Sequence, residues 1–158
     1  MIINSYFNIG LVISVITCIS IFICTKFLIS ILWKFKSIVL DYHKSKKSFV
    51  AHPGGPSIII TILIAEIVLY YFTNELKIIA IILTTIIAGT IGLIDDLKNL
   101  GGYWKPILLL LSPIPIIFLD VYNPNLLFPV FGAVHMTIIY PVLILIAIPI
   151  TSNTINTI

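Results

Sequence analysis

Apolar residues dominate this chain in five long runs, 8–33, 57–73, 78–94, 103–119 and 139–156, parted by short polar stretches. None of them shows the alternation of a half-buried strand or the polar face of a surface helix. A helix needs about 20 such residues to cross the hydrocarbon core of a bilayer. The pattern predicts an all-α membrane protein, a multi-span helix bundle of about five transmembrane helices forming one integral-membrane region over 1–158. The first run has no basic region before it and is too long for a signal peptide, so it is expected to remain as a span. Pro113 and Pro115 predict a kink in the fourth run. Between the fourth and fifth runs, Leu126–Val130 and Val134–Ile138 around Phe131-Gly132 read as a short β-hairpin on the outer surface, with Pro129 confined to an edge strand.

Two charges fall deep within the runs. Glu66 lies nine positions into the second, roughly 13 Å deep at 1.5 Å per residue, and Lys26 lies roughly 10 Å from the end of the first. An ionisable residue within a span is a functional candidate. An ion pair between the first two spans is the plainer expectation.

Composition makes lipid the solvent. Hydrophobic residues are 59% of the chain, charged residues 9%, and the mean hydropathy is +1.18, which no soluble domain of this size could bury. The net charge of +3 comes from lysines alone and is concentrated in one loop, so no nucleic-acid partner is expected. Cys18 and Cys24 are six apart on one helix, too far along the axis for a disulfide, and no zinc spacing occurs. Loops 34–56 and 97–105 hold seven of the nine lysines. The positive-inside rule then places the N-terminus outside and both loops in the cytoplasm, together with the C-terminal stretch.

The candidate chemistry gathers on that face. Asp95 and Asp96 are adjacent, in a chain with six acidic residues in all, and they end an apolar run where a helix macrodipole is already negative. A cation would relieve them, and oxygen ligands of this kind suit Mg²⁺; a solvated acidic loop is the alternative. Lys105 would hold an anionic phosphate or anchor the fourth span at the headgroups. Asn153 and Asn156, three apart, share a helix face and offer amide groups to a metal or a phosphate, or cap a fraying end. Gly54 and Gly55, after Pro53, would let the backbone approach a substrate closely. His52 reads as a loop residue, and His43 and His135 have no assigned role.

Gly92-Leu93-Ile94-Asp95-Asp96, then Asn99-Leu100 and Lys105, then Thr151-Ser152-Asn153-Thr154-Ile155-Asn156 resemble the polyprenyl-phosphate N-acetylhexosamine-1-phosphate transferase family. The Asp-Asp-x-x-Asn-Leu-x-x-x-x-Lys spacing is most similar to the eukaryotic and archaeal dolichyl branch. Pro53-Gly54-Gly55 resembles the family's first cytoplasmic Pro/Gly motif more loosely. The resemblance runs along the whole chain and about half of a family member's length. It implies transfer of N-acetylglucosamine-1-phosphate, or a related sugar phosphate, from a UDP-sugar to a polyprenyl or dolichyl phosphate. Asp95, Asp96 and Lys105 would be catalytic. Asp95, Asp96 and Asn156 would hold Mg²⁺, or Mn²⁺ in its place. Gly54, Gly55, Asn153 and Asn156 would bind substrate. The expected partners are the lipid carrier, the UDP-N-acetylhexosamine and a completing second half-polypeptide or second copy. The setting is the plasma membrane, or the endoplasmic reticulum in a eukaryote. Competing readings are half of a secondary transporter built on Glu66, and a non-catalytic remnant or one subunit of a split transferase.

Overall fold

The structure, a computed structural model, describes residues 2–41, 48–98, 100–129 and 132–155. The elements are α1 (Ile2–Lys34), β1 (Ile38–Asp41), β2 (Ser48–Ala51), α2 (Gly55–Thr73), α3 (Leu76–Lys98), α4 (Gly101–Leu109), α5 (Ile114–Phe118), β3 (Asn125–Phe128), β4 (Gly132–His135) and α6 (Ile139–Ile155). The chain forms two compact units, Met1–Asn74 with Gly92–Asn99, and Glu75–Ile91 with Leu100–Ile158.

In the first unit α1 packs on α2, antiparallel, along a seam of small polar residues. Thr25 Oγ1 and Ser57 Oγ are 3.0 Å apart across it, and Ser57 and Thr61 are buried. In lipid there is no hydrophobic drive between helices, so close backbone approach and hydroxyl bonds carry the packing. Other hydroxyls fold back on their own helix, Thr61 onto Ser57 O at 2.7 Å and Thr17 onto Ile13 O at 2.7 Å, which satisfies them without a partner helix.

The same register corrects the expected ion pair between Lys26 and Glu66. Thr25 stands opposite Ser57, so Glu66, nine residues further along α2, is displaced by roughly 13 Å. It lies beside Ser14, Thr17 and Cys18. Lys26 remains at the Ser57 end, its Nζ 4.4 Å from the centroid of the Phe22 ring. The expectation counted both depths from the ends of the two apolar runs, but α1 continues well past the start of α2.

The stretch 34–56 is not simply a loop. After α1 the chain turns through Lys36 at φ 56°, with Ser37 N–H donating to Leu32 O at 2.9 Å and Lys36 N–H to Trp33 O at 3.2 Å, the Schellman pattern with lysine where glycine is usual. β1 then pairs with β2, Ile38 opposite Ala51 and Asp41 opposite Ser48. Ser37 and His52 close the base: Ser37 Oγ donates to His52 O at 2.6 Å, and His52 N–H to Ser37 O at 3.1 Å.

Two of the five predicted spans fall short of the length of a candidate crossing. Among the described residues, three helices are long and apolar enough to cross a membrane, Asn8–Lys34, Gly55–Thr73 and Leu76–Lys98, while Tyr103–Phe118 and Ile139–Ser152 are shorter apolar stretches. The five are therefore not all transmembrane. The fourth run breaks rather than kinks. From Leu110 to Ser112 the backbone tightens to bonds three residues back, such as Ser112 N–H to Leu109 O at 3.0 Å, and Pro113 brings no N–H to continue the ladder. Ser112 Oγ also donates to Leu109 O at 2.7 Å. Leu109, Ser112, Pro113 and Pro115 are buried, which shields this irregular backbone. Pro149 sits inside α6.

The second hairpin forms with a shifted strand. β3 pairs antiparallel with β4, Asn125 opposite His135 and Phe128 opposite Gly132, so the returning strand is 132–135 rather than 134–138. Pro129 falls in the turn, where it interrupts no ladder bond.

Candidate functional site

α3 runs without a break to Lys98, so Asp95 and Asp96 are helical residues of its last turn rather than members of a following loop. No helix breaker occurs before Gly101, and Lys98 in the last turn suits the negative end of the dipole. The two carboxylates do not suit it, and need compensation from elsewhere.

The start of α2 lies against one of them. A Cβ placed on Gly55 would lie 3.7 Å from Asp96 Oδ2 and 4.0 Å from Ile59 Cδ1, so the first turn of α2 stands directly against the Asp96 carboxylate. That turn has no side-chain cap, and Pro56 occupies it without an N–H. The positive end of its dipole lies near the carboxylate that the end of α3 disfavours. Ser57 Oγ, in the same turn, donates to Gly54 O at 3.3 Å and lies 3.0 Å from Thr25 Oγ1, which fixes the turn. Asp95 and Asp96 are both half-buried, and Asp95 is engaged by a partner group.

Of the two glycines expected to admit a substrate, only Gly55 meets the acidic pair. Gly54 is exposed with nothing within 4 Å of a Cβ added to it. Lys105 belongs to the second unit, in the middle of α4, half-buried and engaged by another group. Exposed Tyr103 and Trp104 precede it, a lysine–aromatic grouping typical of a membrane interface. Asn153 lies on α6, which packs against α4. Asn156 lies outside the described residues. The structure thus brings Gly55 and Asp96 together and carries Lys105 and Asn153 in the other unit.

Two polar groupings escaped the sequence reading. The Ser57–Thr61 spacing of four, small hydroxyls on one face of an apolar helix, was the available signal for the α1–α2 seam. His135 Nδ1 pairs with Asn125 Oδ1 on the second hairpin, and Asn125 N–H donates to Asn123 Oδ1 at 3.0 Å, so His135 is spent on the hairpin. His52 likewise serves the first hairpin through its backbone.

Long apolar helices with an acidic pair at the end of one of them define a membrane protein with a polar site at the edge of its helices. The sequence profile of glycosyl transferase family 4 matches residues 78–158, half of the chain, and the chain belongs to that family. Its chemistry is transfer of a phospho-sugar to a polyprenyl phosphate. The match contains Asp95, Asp96, Lys105, Asn153 and Asn156, whereas Gly54 and Gly55 precede it. No curated protein and no solved structure matches the chain.

Proposed function

We propose that the chain takes part in transferring N-acetylglucosamine-1-phosphate, or a related N-acetylhexosamine-1-phosphate, from its UDP-sugar to a polyprenyl or dolichyl phosphate. An oxygen of the carrier phosphate attacks the β-phosphorus of the UDP-sugar. The bond from that phosphorus to the UMP oxygen breaks, UMP leaves with the electron pair, and a polyprenyl-diphospho-sugar remains in the membrane. The observation that carries this reading is the approach of Gly55 to Asp96. It joins the Pro-Gly turn, outside the family match, to the acidic pair inside it.

The donor set fits a hard divalent cation. Asp95 and Asp96 supply carboxylate oxygens, hard ligands of the kind Mg²⁺ or Mn²⁺ prefers. When bound, the ion would offset the negative charge of the diphosphate. Lys105 holds the carrier phosphate as a point charge, and Asn153 binds on the nucleotide-sugar side. These roles are assigned from side-chain chemistry and motif position. Gly55 keeps Asp96 accessible and oriented rather than gripping the substrate itself.

The reaction must occur where a lipid phosphate and a soluble nucleotide meet, the headgroup level of one leaflet. The lysine distribution favours the cytoplasmic side, with the N-terminus outside. The chain acts alone, with a second polypeptide or with a second copy. Family membership favours this reading over a transporter half. The test is UMP release by membranes containing the protein, given UDP-N-acetylglucosamine, polyprenyl phosphate and Mg²⁺. Wild-type protein should release UMP and Asp95→Asn should nearly abolish it. Undiminished release by Asp95→Asn would sink the assignment.

A further inference from the structure

The β1–β2 hairpin has a surface that phospho-sugar transfer does not use. An isolated two-stranded hairpin is marginal in water, and this one leaves much of its apolar surface uncovered. Phe49 is 53% exposed, Val39 42% and Val50 36%, and Phe35, in the turn leading into it, is 77% exposed. Val39 stands opposite Val50, and Leu40 opposite Phe49. Successive strand residues face opposite ways, so exposed apolar side chains occur on both faces.

Charge indicates what covers them. The segment from Lys34 to Pro56 carries Lys34, Lys36, Lys44, Lys46 and Lys47 against the single acid Asp41. Lys34 and Lys36 are exposed and alternate with exposed Trp33 and Phe35. Lysines interleaved with aromatic residues suit the boundary between hydrocarbon and water.

Position supplies the rest. α2 has 19 residues, roughly 28 Å, which matches a hydrocarbon core, so Gly55 marks one edge of that core. Thr25 stands opposite Ser57. The part of α1 beyond the level of Gly55 therefore climbs roughly 10 Å to Lys34, and delivers the hairpin to the headgroup layer. A surface tethered there cannot leave the membrane.

We propose that the turn Trp33–Ser37 and the β1–β2 hairpin form a foot that rests in the headgroup layer and engages anionic phospholipid. The apolar side chains enter the acyl boundary and Lys34 and Lys36 hold phosphate-bearing headgroups, an attraction that weakens within a Debye length and with added salt. The proposal is independent of the transferase reading.

The experiment uses the whole chain in nanodiscs of phosphatidylcholine, with or without phosphatidylglycerol. Phe49→Cys, in a Cys18→Ala, Cys24→Ala background, carries an environment-sensitive fluorophore, and a second preparation carries it at Leu127→Cys on the other hairpin. The emission at position 49 should shift to the blue when phosphatidylglycerol is present, and high salt should reverse the shift. Lys34→Gln with Lys36→Gln should weaken it at least several-fold, while position 127 should not respond to phosphatidylglycerol. Hydrogen exchange over Val39 and Val50 verifies that the hairpin is intact in each variant. An emission at position 49 that is equally blue in neutral discs and indifferent to salt would mean that protein or plain hydrocarbon covers the strands. A label that stays in water in both discs would mean that nothing does. Either result overturns the proposal.

Discussion

Gly55 and Asp96 meet so closely that a side chain on the first would begin 3.7 Å from the carboxylate oxygen of the second. That separation is an ordinary contact for one methyl group and leaves no room beyond it in the direction of Asp96. Gly55→Ala should therefore retain most of the UMP release, whereas Gly55→Leu should push the carboxylate from its place. Misplacing a positioned group by about an ångström costs on the order of 100-fold in rate. Gly54→Leu is the control, since Gly54 faces open space. Equal rates for Gly54→Leu and Gly55→Leu would show that the contact plays no part in the chemistry.

The proposed metal dependence can be tested through Asp96. Chelation with EDTA should abolish UMP release, and Mg²⁺ or Mn²⁺ should restore it. Asp96→Asn removes one charged oxygen donor and should raise the Mg²⁺ concentration needed for half-maximal activity, which a titration reads directly. Full activity in EDTA would remove the cation from the proposal and leave Lys105 to balance the phosphates.

Much of this fold was legible in the sequence because lipid imposes a simple rule. Runs such as 57–73 and 78–94 must be helices if every backbone group is to be satisfied inside hydrocarbon, and both are. The acidic pair stood out because charge is rare here. What escaped depends on contacts. Ile38-Val39-Leu40 and Phe49-Val50 have strand character, but they lie among lysines that made the whole segment read as a loop. Pro113 announced a disturbance without saying whether the helix would bend or break; the burial of Ser112 and Leu109 accompanies a break. The depths of Lys26 and Glu66 required the register of α1 on α2, and a hydropathy pattern carries no register. The nearness of Gly55 to Asp96 spans 41 positions, and no local signal encodes it.

The α1–α2 seam should be sensitive to volume more than to hydrogen bonding. Thr25→Val removes the bond to Ser57 at little change of shape. Hydrogen bonds of this kind within bilayers average about 0.6 kcal/mol. Ser57→Leu forces a larger group into a buried site, and overpacking typically costs 1–3 kcal/mol. Ser57→Leu should thus lower resistance to unfolding in detergent more than Thr25→Val does. The reverse order would mean that the hydroxyl pair, not close packing, holds the two helices.

The broken helix makes the last prediction, and two effects compete in it. Pro113→Ala restores a missing N–H, and a proline in a helix interior costs about 3 kcal/mol, so local propensity then favours a helix continuous through position 113, with only a bend left at Pro115. Against this, straightening would pull Leu109, 1% exposed, and Ser112, fully buried, out of their surroundings. Losing a buried leucine's contacts costs about 2–5 kcal/mol in a protein core, and less where lipid replaces part of them. The two terms are similar in size, so Pro113→Ala alone should change stability little. Leu109→Ala, which removes the packing and keeps the proline, should destabilise by about 2 kcal/mol. Combined, they should favour the continuous form. A spin-label pair on α4 and α5 should then lengthen in the double variant and hold its wild-type distance in Pro113→Ala. Lengthening already in Pro113→Ala would mean that the proline by itself, and not the packing around Leu109, creates the break.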